Sequence, residues 1–150
     1  MVHDVVNNMQ LGLQSDICVL DFSKAFDKVG HRLLVEKLRM YVIDGETNTW
    51  IGNFLNDRSQ YVLVEGPSSG CVPVISGVPQ GSVLGCCLFL FYINDVADSL
   101  TSTVRLFAED TMIYLAVKSE QDSKAFQKDL DKLAAWEKHG RWSSTQTNVK

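Results

Sequence analysis

Apolar and polar positions alternate with a period of two on both sides of a short acidic break late in the chain. Val104 and Leu106 precede the break, Ile113 and Leu115 follow it, and Phe107-Ala108-Glu109-Asp110 lies between them. This pattern predicts a β-hairpin with Glu109-Asp110 at or near its turn. Asp16 to Phe22 is a near-continuous apolar run closed by Asp21, the pattern of a strand buried on both faces. His31 to Met40 spaces Leu34 and Leu38 four apart among charges and predicts an amphipathic helix. Thr49 to Leu55 predicts a short helix with Trp50, Ile51, Phe54 and Leu55 on its inner face. Gln60 to Glu65 and Cys71 to Val74 predict a hairpin across a glycine- and proline-containing loop, with Pro73 marking an edge. Val83, Leu84, Cys87, Leu88, Phe91 and Tyr92 belong to a helix apolar almost all round and expected to be deeply packed. Ser119 to Lys138 predicts a last amphipathic helix with Phe126, Leu130, Leu133 and Ala134 inward. Residues 1–14 have the weak periodicity of a helix tail, and about 140–150 reads as a poorly ordered polar tail.

Three places carry candidate chemistry. Adjacent carboxylates on a turn repel, where a purely structural turn favours Asp-Gly or Asn-Gly. Glu109 and Asp110 are therefore either a solvated turn or part of a site for a divalent cation that inverts the repulsion. Asp21, at the end of an apolar strand, either caps the helical turn that Ser23-Lys24-Ala25-Phe26-Asp27 can start, or is exposed or paired at the strand end. Ser76-Gly77-Val78-Pro79-Gln80-Gly81-Ser82 opens a helix, lets the backbone approach a ligand, and offers Gln80 as both donor and acceptor. It matches neither a P-loop nor a dinucleotide fingerprint, so it is either an anion-favouring helix start or an ordinary strand-to-helix turn. His31, alone at a helix start, reads as a surface or capping group.

Composition narrows the classes. A chain of 150 residues with 45% hydrophobic and 21% charged content is globular and fits one domain. A net charge of -4 argues against a self-sufficient nucleic-acid binder. Cys18, Cys71, Cys86 and Cys87 show no paired zinc-ligand spacing, and nothing resembles a secretory leader. The longest apolar run, Val83 to Ile93, is too short to span a bilayer. A soluble, intracellular protein with no membrane partner is expected.

In order, these elements are a strand with a terminal acid, helices, a hairpin, a glycine loop with its helix, an acidic hairpin and a helix. That is an α+β pattern in which Asp21 and Glu109-Asp110 meet if their strands are neighbours. Three carboxylates so placed suit two Mg²⁺ ions roughly 3.5–4 Å apart, the arrangement of in-line phosphoryl and nucleotidyl transfer.

Leu20-Asp21-Phe22-Ser23-Lys24-Ala25-Phe26-Asp27, Ser76 to Gly85, Tyr92-Ile93-Asn94-Asp95 and Phe107-Ala108-Glu109-Asp110 resemble the successive blocks of a reverse transcriptase. The likeness is to the non-LTR retrotransposon group (jockey-like and chicken-repeat-like elements) and runs from about Cys18 to about Trp136. It implies a single partial domain over residues 1–150. That domain is a palm-type polymerase core, an antiparallel sheet with helices packed on one face, plus part of the fingers and no thumb. It further implies Asp21, Glu109 and Asp110 as catalytic metal ligands for two Mg²⁺ ions, with the Phe22 main-chain carbonyl helping to hold one of them. Phe26 matches the aromatic gate that excludes a ribose 2′-hydroxyl. Gln80 and Gly81 match the loop along the incoming nucleotide and template. The implied partners are an RNA template, a DNA primer and deoxynucleoside triphosphates, in nucleus or cytoplasm.

The chain also departs from the family pattern. Glu109 stands where the family has Asp, and its extra methylene displaces the carboxylate by about 1 Å, a misplacement that can cost on the order of a hundredfold in rate. Mg²⁺, which demands near-ideal octahedral geometry, tolerates this poorly. Gly30, Val42 and Cys86 replace a usual Asp, Gly and Pro. Trp142 to Lys150 aligns only faintly with the family's next block. Two readings follow: an impaired RNA-directed DNA polymerase fragment, and a non-catalytic retroelement remnant or binding module of the same fold. A small α+β interaction domain with an ordinary acidic turn is a third, which the four ordered blocks disfavour.

Overall fold

Strand β1 (Gln14–Phe22) is the element on which the larger sheet is built. The computed structural model describes residues 2–107, 110–140 and 144–149, with backbone only for 139, 140 and the last six. Helix α1 (Val2–Gln10) precedes β1, and α2 (His31–Met40) and α3 (Gly45–Leu55) follow it. The short strands β2 (Ser59–Gln60) and β3 (Val72–Pro73) come next, then α4 (Val83–Ile93). Strands β4 (Thr103–Phe107) and β5 (Asp110–Val117) form the acidic hairpin, followed by α5 (Glu120–Gly140) and β6 (Ser144–Val149). The chain divides into two compact units, one of residues 1–23 with 95–150 and one of 24–94.

The first unit holds an antiparallel sheet in the order β4-β5-β1-β6. Alternation along β1 buries Cys18, Leu20 and Phe22 on one face, and their partners Ile113 and Thr111 on β5 share that face. Helix α5 packs against β5, burying Phe126 and Leu133, while the Trp136 ring meets Phe22 at 5.9 Å between centroids. The apolar run of β1 predicts burial on both faces, but only one is buried; Asp21 is exposed at the strand end, one of the alternatives expected for an acid there. Residues 144–149, expected as a frayed polar tail, pair with β1 as β6. Backbone hydrogen bonding to a strand edge requires no apolar periodicity.

Sequence periodicity missed the polar contact that ties this sheet to α5. Asp129 lies on the same helical stripe as Phe126, Leu133 and Trp136 and is fully buried. Its Oδ2 accepts from the Thr101 and Ser102 amides at 2.9 and 2.8 Å and from both hydroxyls at 2.8 Å. Lys132 Nζ donates to Oδ1 at 3.0 Å. Burial opposes ionisation, but the bonds from Thr101, Ser102 and Lys132 outweigh it and hold the carboxyl well below the usual carboxylate range. The clasp grips the chain one residue before β4 begins, fixing where the hairpin enters the sheet.

In the second unit α2 packs against α3 and α4, with Leu34, Leu38, Ile51, Leu55, Leu88, Phe89 and Ile93 buried. Lys37 is nearly buried, donating to the Tyr92 carbonyl at 2.6 Å with its ammonium over the Tyr92 ring. The cation sits at the C-terminal end of α4, where the helix dipole favours it. Ser82 caps the start of α4 by accepting from the Gly85 amide at 2.9 Å. At Gly85 a Cβ would stand 2.0 Å from the Pro79 carbonyl oxygen, so the loop closes only on glycine. Helix α4 is not packed all round as its composition predicts: Val83, Cys86, Cys87 and Leu90 face outward, Val83 at 85% exposure. An all-apolar helix has no sequence-encoded outer face, so its burial is set by which neighbours reach it. The β2–β3 hairpin is shorter than predicted, and the apolar run Tyr61 to Val64 beside it is exposed.

Replacing Asp129 with Ala is expected to destabilise the fold by about 2–4 kcal/mol, since it strands the amide and hydroxyl of buried Ser102 and removes the part-buried bonds from Thr101. Urea unfolding at neutral pH measures this. The folded pKa lies below the unfolded one, so Asp129's contribution is complete above the unfolded carboxylate value. It is lost as pH falls through about 4 toward the lowered folded value. The stability gap between wild type and Asp129→Ala should narrow across that acid range.

Candidate active site

The antiparallel register of β1 and β5 sets Asp21 directly opposite Asp110 at one end of the pairing, with Gln14 opposite Val117 at the other. Burial of Cys18, Leu20 and Phe22 on one face turns Asp21 to the other, and the same alternation turns Asp110 away from buried Thr111 and Ile113. Both aspartates are exposed. Opposed side chains in such a pair have Cβ atoms about 4.5–5.5 Å apart, and like charges there are destabilising. Among the described residues, no hydrogen bond or ion pair engages either carboxylate. A divalent cation fits this donor set: two carboxylate ligands, close together, with no counter-charge paired to them among the described residues.

Glu109 lies outside the described residues, between the ends of β4 and β5, where Phe107 pairs with Asp110. Trp142 and Lys150 lie outside them too. Among the described residues no group of three or more His, Cys, Asp or Glu side chains comes together. Phe22 is buried on the α5 side of β1 and stands opposite Ser144 of β6. Farther along the Asp110 face, Tyr114 donates to Asp4 of α1, which also pairs with Arg105 at 3.7 Å. Helix α1 is thereby anchored to the middle of the hairpin.

The other implied residues belong to the second unit. Phe26 sits in a short 3-10 turn (Phe26–Lys28) and stacks on Phe89 of α4, with centroids 4.4 Å apart and planes 20° apart. Gln80 and Gly81 are exposed at the tip of the glycine loop, and Gly81 takes φ +86° with open space where a Cβ would be. His31 neither sits free on the surface nor caps α2. Its Nε2 bonds the Gly77 carbonyl oxygen at 2.8 Å. A lone histidine at a helix start carries no sequence signal for such a contact 46 residues away.

The family described as "Reverse transcriptase (RNA-dependent DNA polymerase)" matches residues 2–144. The chain belongs to the reverse transcriptase family. It is 30% identical over 126 residues to the RNA-directed DNA polymerase from mobile element jockey of Drosophila melanogaster, covering 78% of this chain and 14% of that protein. It is 30% identical over 132 residues to the probable RNA-directed DNA polymerase from transposon BS of the same organism, covering 82% of this chain and 14% of the relative. Over 89 residues it is 29% identical to the retrovirus-related Pol polyprotein from type-1 retrotransposable element R2 of Popillia japonica, covering 59% of this chain and 15% of that one. Among solved structures it resembles an apo telomerase from Candida tropicalis truncated from its C-terminal domain, with a TM-score of 0.57 at 13% identity, over 99% of this chain and 34% of that chain. The non-LTR resemblance and the palm-type α+β fold are thus borne out. The chain spans about a seventh of the length of the jockey and BS relatives.

The like-charge pair has a measurable consequence. Asp110→Asn is expected to raise metal-free stability by a few tenths to about 1 kcal/mol by removing the cross-strand repulsion. It should also abolish any rise in melting temperature that Mg²⁺ or Mn²⁺ gives the wild-type chain. Thermal melts with and without the ion check both.

Proposed function

We propose that this chain is the palm and part of the fingers of an RNA-directed DNA polymerase of the non-LTR retrotransposon type, and that Glu109 impairs it. The observation that carries the reading is the register that sets Asp21 against Asp110 at one end of an antiparallel pair. Two Mg²⁺ ions held by Asp21, Asp110, Glu109 and the Phe22 carbonyl would supply activation of a primer 3′-hydroxyl and charge stabilisation at the triphosphate. The chain's own groups have narrower roles. Asp21 and Asp110 present the oxygens, the Phe22 ring under Trp136 holds the strand end, and the Asp129 clasp fixes the hairpin's entry. Phe26 excludes a 2′-hydroxyl, and Gln80 and Gly81 lie along the incoming deoxynucleotide and the RNA template.

A net charge of -4 leaves the chain without the basic surface that a primer–template duplex requires. No helix among the described residues is long and apolar enough to cross a membrane. We place the working protein in the nucleus, the cytoplasm or both, where template and nucleotides are available. The second reading, a non-catalytic remnant of the fold, is favoured by Glu109 at the ligand position where the family has Asp.

The isolated chain is expected to extend a primer on an RNA template undetectably. Residues 2–144 should therefore replace the matching segment of the full-length jockey polymerase. Primer extension by that chimera should be about a hundredfold higher with Glu109→Asp than with Glu109 and absent with Asp110→Ala. Equal activity of all three versions would sink the reading.

A further inference from the structure

We propose that His31 is a positioning residue. It holds the peptide between Gly77 and Val78 so that the loop bearing Gln80 and Gly81 and the turn bearing Phe26 form one rigid piece. The role of that piece in nucleotide selection rests on the polymerase reading above, whereas the lock itself rests on geometry. The Gly77 amide donates to Val29 O and the Val78 amide to Phe26 O, each at 2.8 Å. Ser76 Oγ donates to Asp27 O at 2.8 Å. Backbone meets backbone so closely that a Cβ on Gly77 would stand 2.8 Å from Asp27 Cα and 2.9 Å from Asp27 O. Gly77 also sits at φ +91°, where only glycine is unstrained.

The freedom that admits Gly77 to this contact also leaves its following peptide free to rotate. The Gly77 carbonyl and the Val78 amide belong to one planar unit, so turning one turns the other. His31 Nε2 donates to that carbonyl at 2.8 Å, which requires the Nε2-protonated form, while Arg58 Nη1 reaches it only at 3.4 Å. Without the imidazole the carbonyl of buried Gly77 keeps, among the described residues, only the longer bond. The peptide is then free to turn, and the Val78 amide leaves the Phe26 carbonyl. The Phe26 ring remains stacked on Phe89, but its backbone is no longer registered to the nucleotide loop.

Amide exchange of the 150-residue chain, resolved by NMR, tests this. His31→Ala should speed exchange of the Val78 amide by about tenfold or more, the loss of one hydrogen bond of ordinary strength, while α3 amides keep their rates. His31→Gln, whose terminal amide nitrogen reaches as far as Nε2, should restore protection, and the shorter His31→Asn should not. Unchanged exchange in His31→Ala, or equal behaviour of the Gln and Asn variants, overturns the proposal. If His31→Ala does not fold, the contrast between Gln and Asn decides alone. Titration with Mg²⁺-dUTP and Mg²⁺-UTP, which differ only at the 2′-hydroxyl, adds the nucleotide arm, in which the deoxy preference of the Gln80 and Gly81 shifts should fall in the Asn variant and return in the Gln variant. If exchange follows residue 31 but neither nucleotide moves the loop in any variant, the lock stands and its role in nucleotide selection fails, while the polymerase reading is decided by the chimera.

Discussion

Two negative charges held opposite one another across a β-ladder are the constraint around which the first unit is organised. Strand pairing would not choose this, because opposed carboxylates weaken a pair that opposite charges or apolar groups strengthen. The chain enforces it through the other face of the same strands. Cys18, Leu20 and Phe22 must be buried with Ile113 and Thr111, and a slip of one residue would turn that whole set to solvent. Core burial thus fixes the register, and the register fixes the distance between the acids. Their repulsion is tolerated because apolar burial on one face exceeds it.

The same logic explains the supports. Phe22 follows Asp21 directly, so packing its ring against Trp136 fixes the backbone from which the carboxylate projects. Asp129 does the equivalent for the hairpin, accepting from two consecutive backbone amides just before β4. A buried carboxylate is costly unless every oxygen is engaged, and here one oxygen collects four donors while Lys132 meets the other. Thr111 is the polar exception on the buried face, its hydroxyl enclosed without a partner among the described residues.

Much of this was legible in the sequence, for physical reasons that differ by element. The bounds of helix α2 are legible because Leu34 and Leu38 repeat at helical spacing between a glycine and the exposed Met40. The acidic hairpin was legible because alternation survives on both sides of its turn. The Asp21–Asp110 pairing was an inference from a shared family pattern as much as from residues, since no local signal names a strand's neighbour. Asp129 was missed although a signal existed: a carboxylate three residues after Phe126 and four before Leu133 lies on the apolar stripe. His31 was missed because its partner is a main-chain carbonyl, and main-chain atoms leave no trace in composition. The outward half of α4 was missed because Val83, Cys86 and Leu90 are as apolar as the residues it buries.

The two units answer a shared demand, the accurate placement of a few atoms at a surface, by different means. In the first, side-chain burial sets a strand register, and the groups that the register places are carboxylates. In the second, backbone meets backbone at Gly77 and Gly85, and the residues that matter are those lacking a Cβ. A register is hard to move by small steps, because its next state is a whole residue away. A glycine loop has near neighbours in conformation, since the residue admitted for its lack of a side chain is also the least restricted in φ. The second arrangement therefore needs an added lock that the first does not, and a hydrogen bond to the free carbonyl of the glycine is the least costly form of one. That is the position His31 occupies.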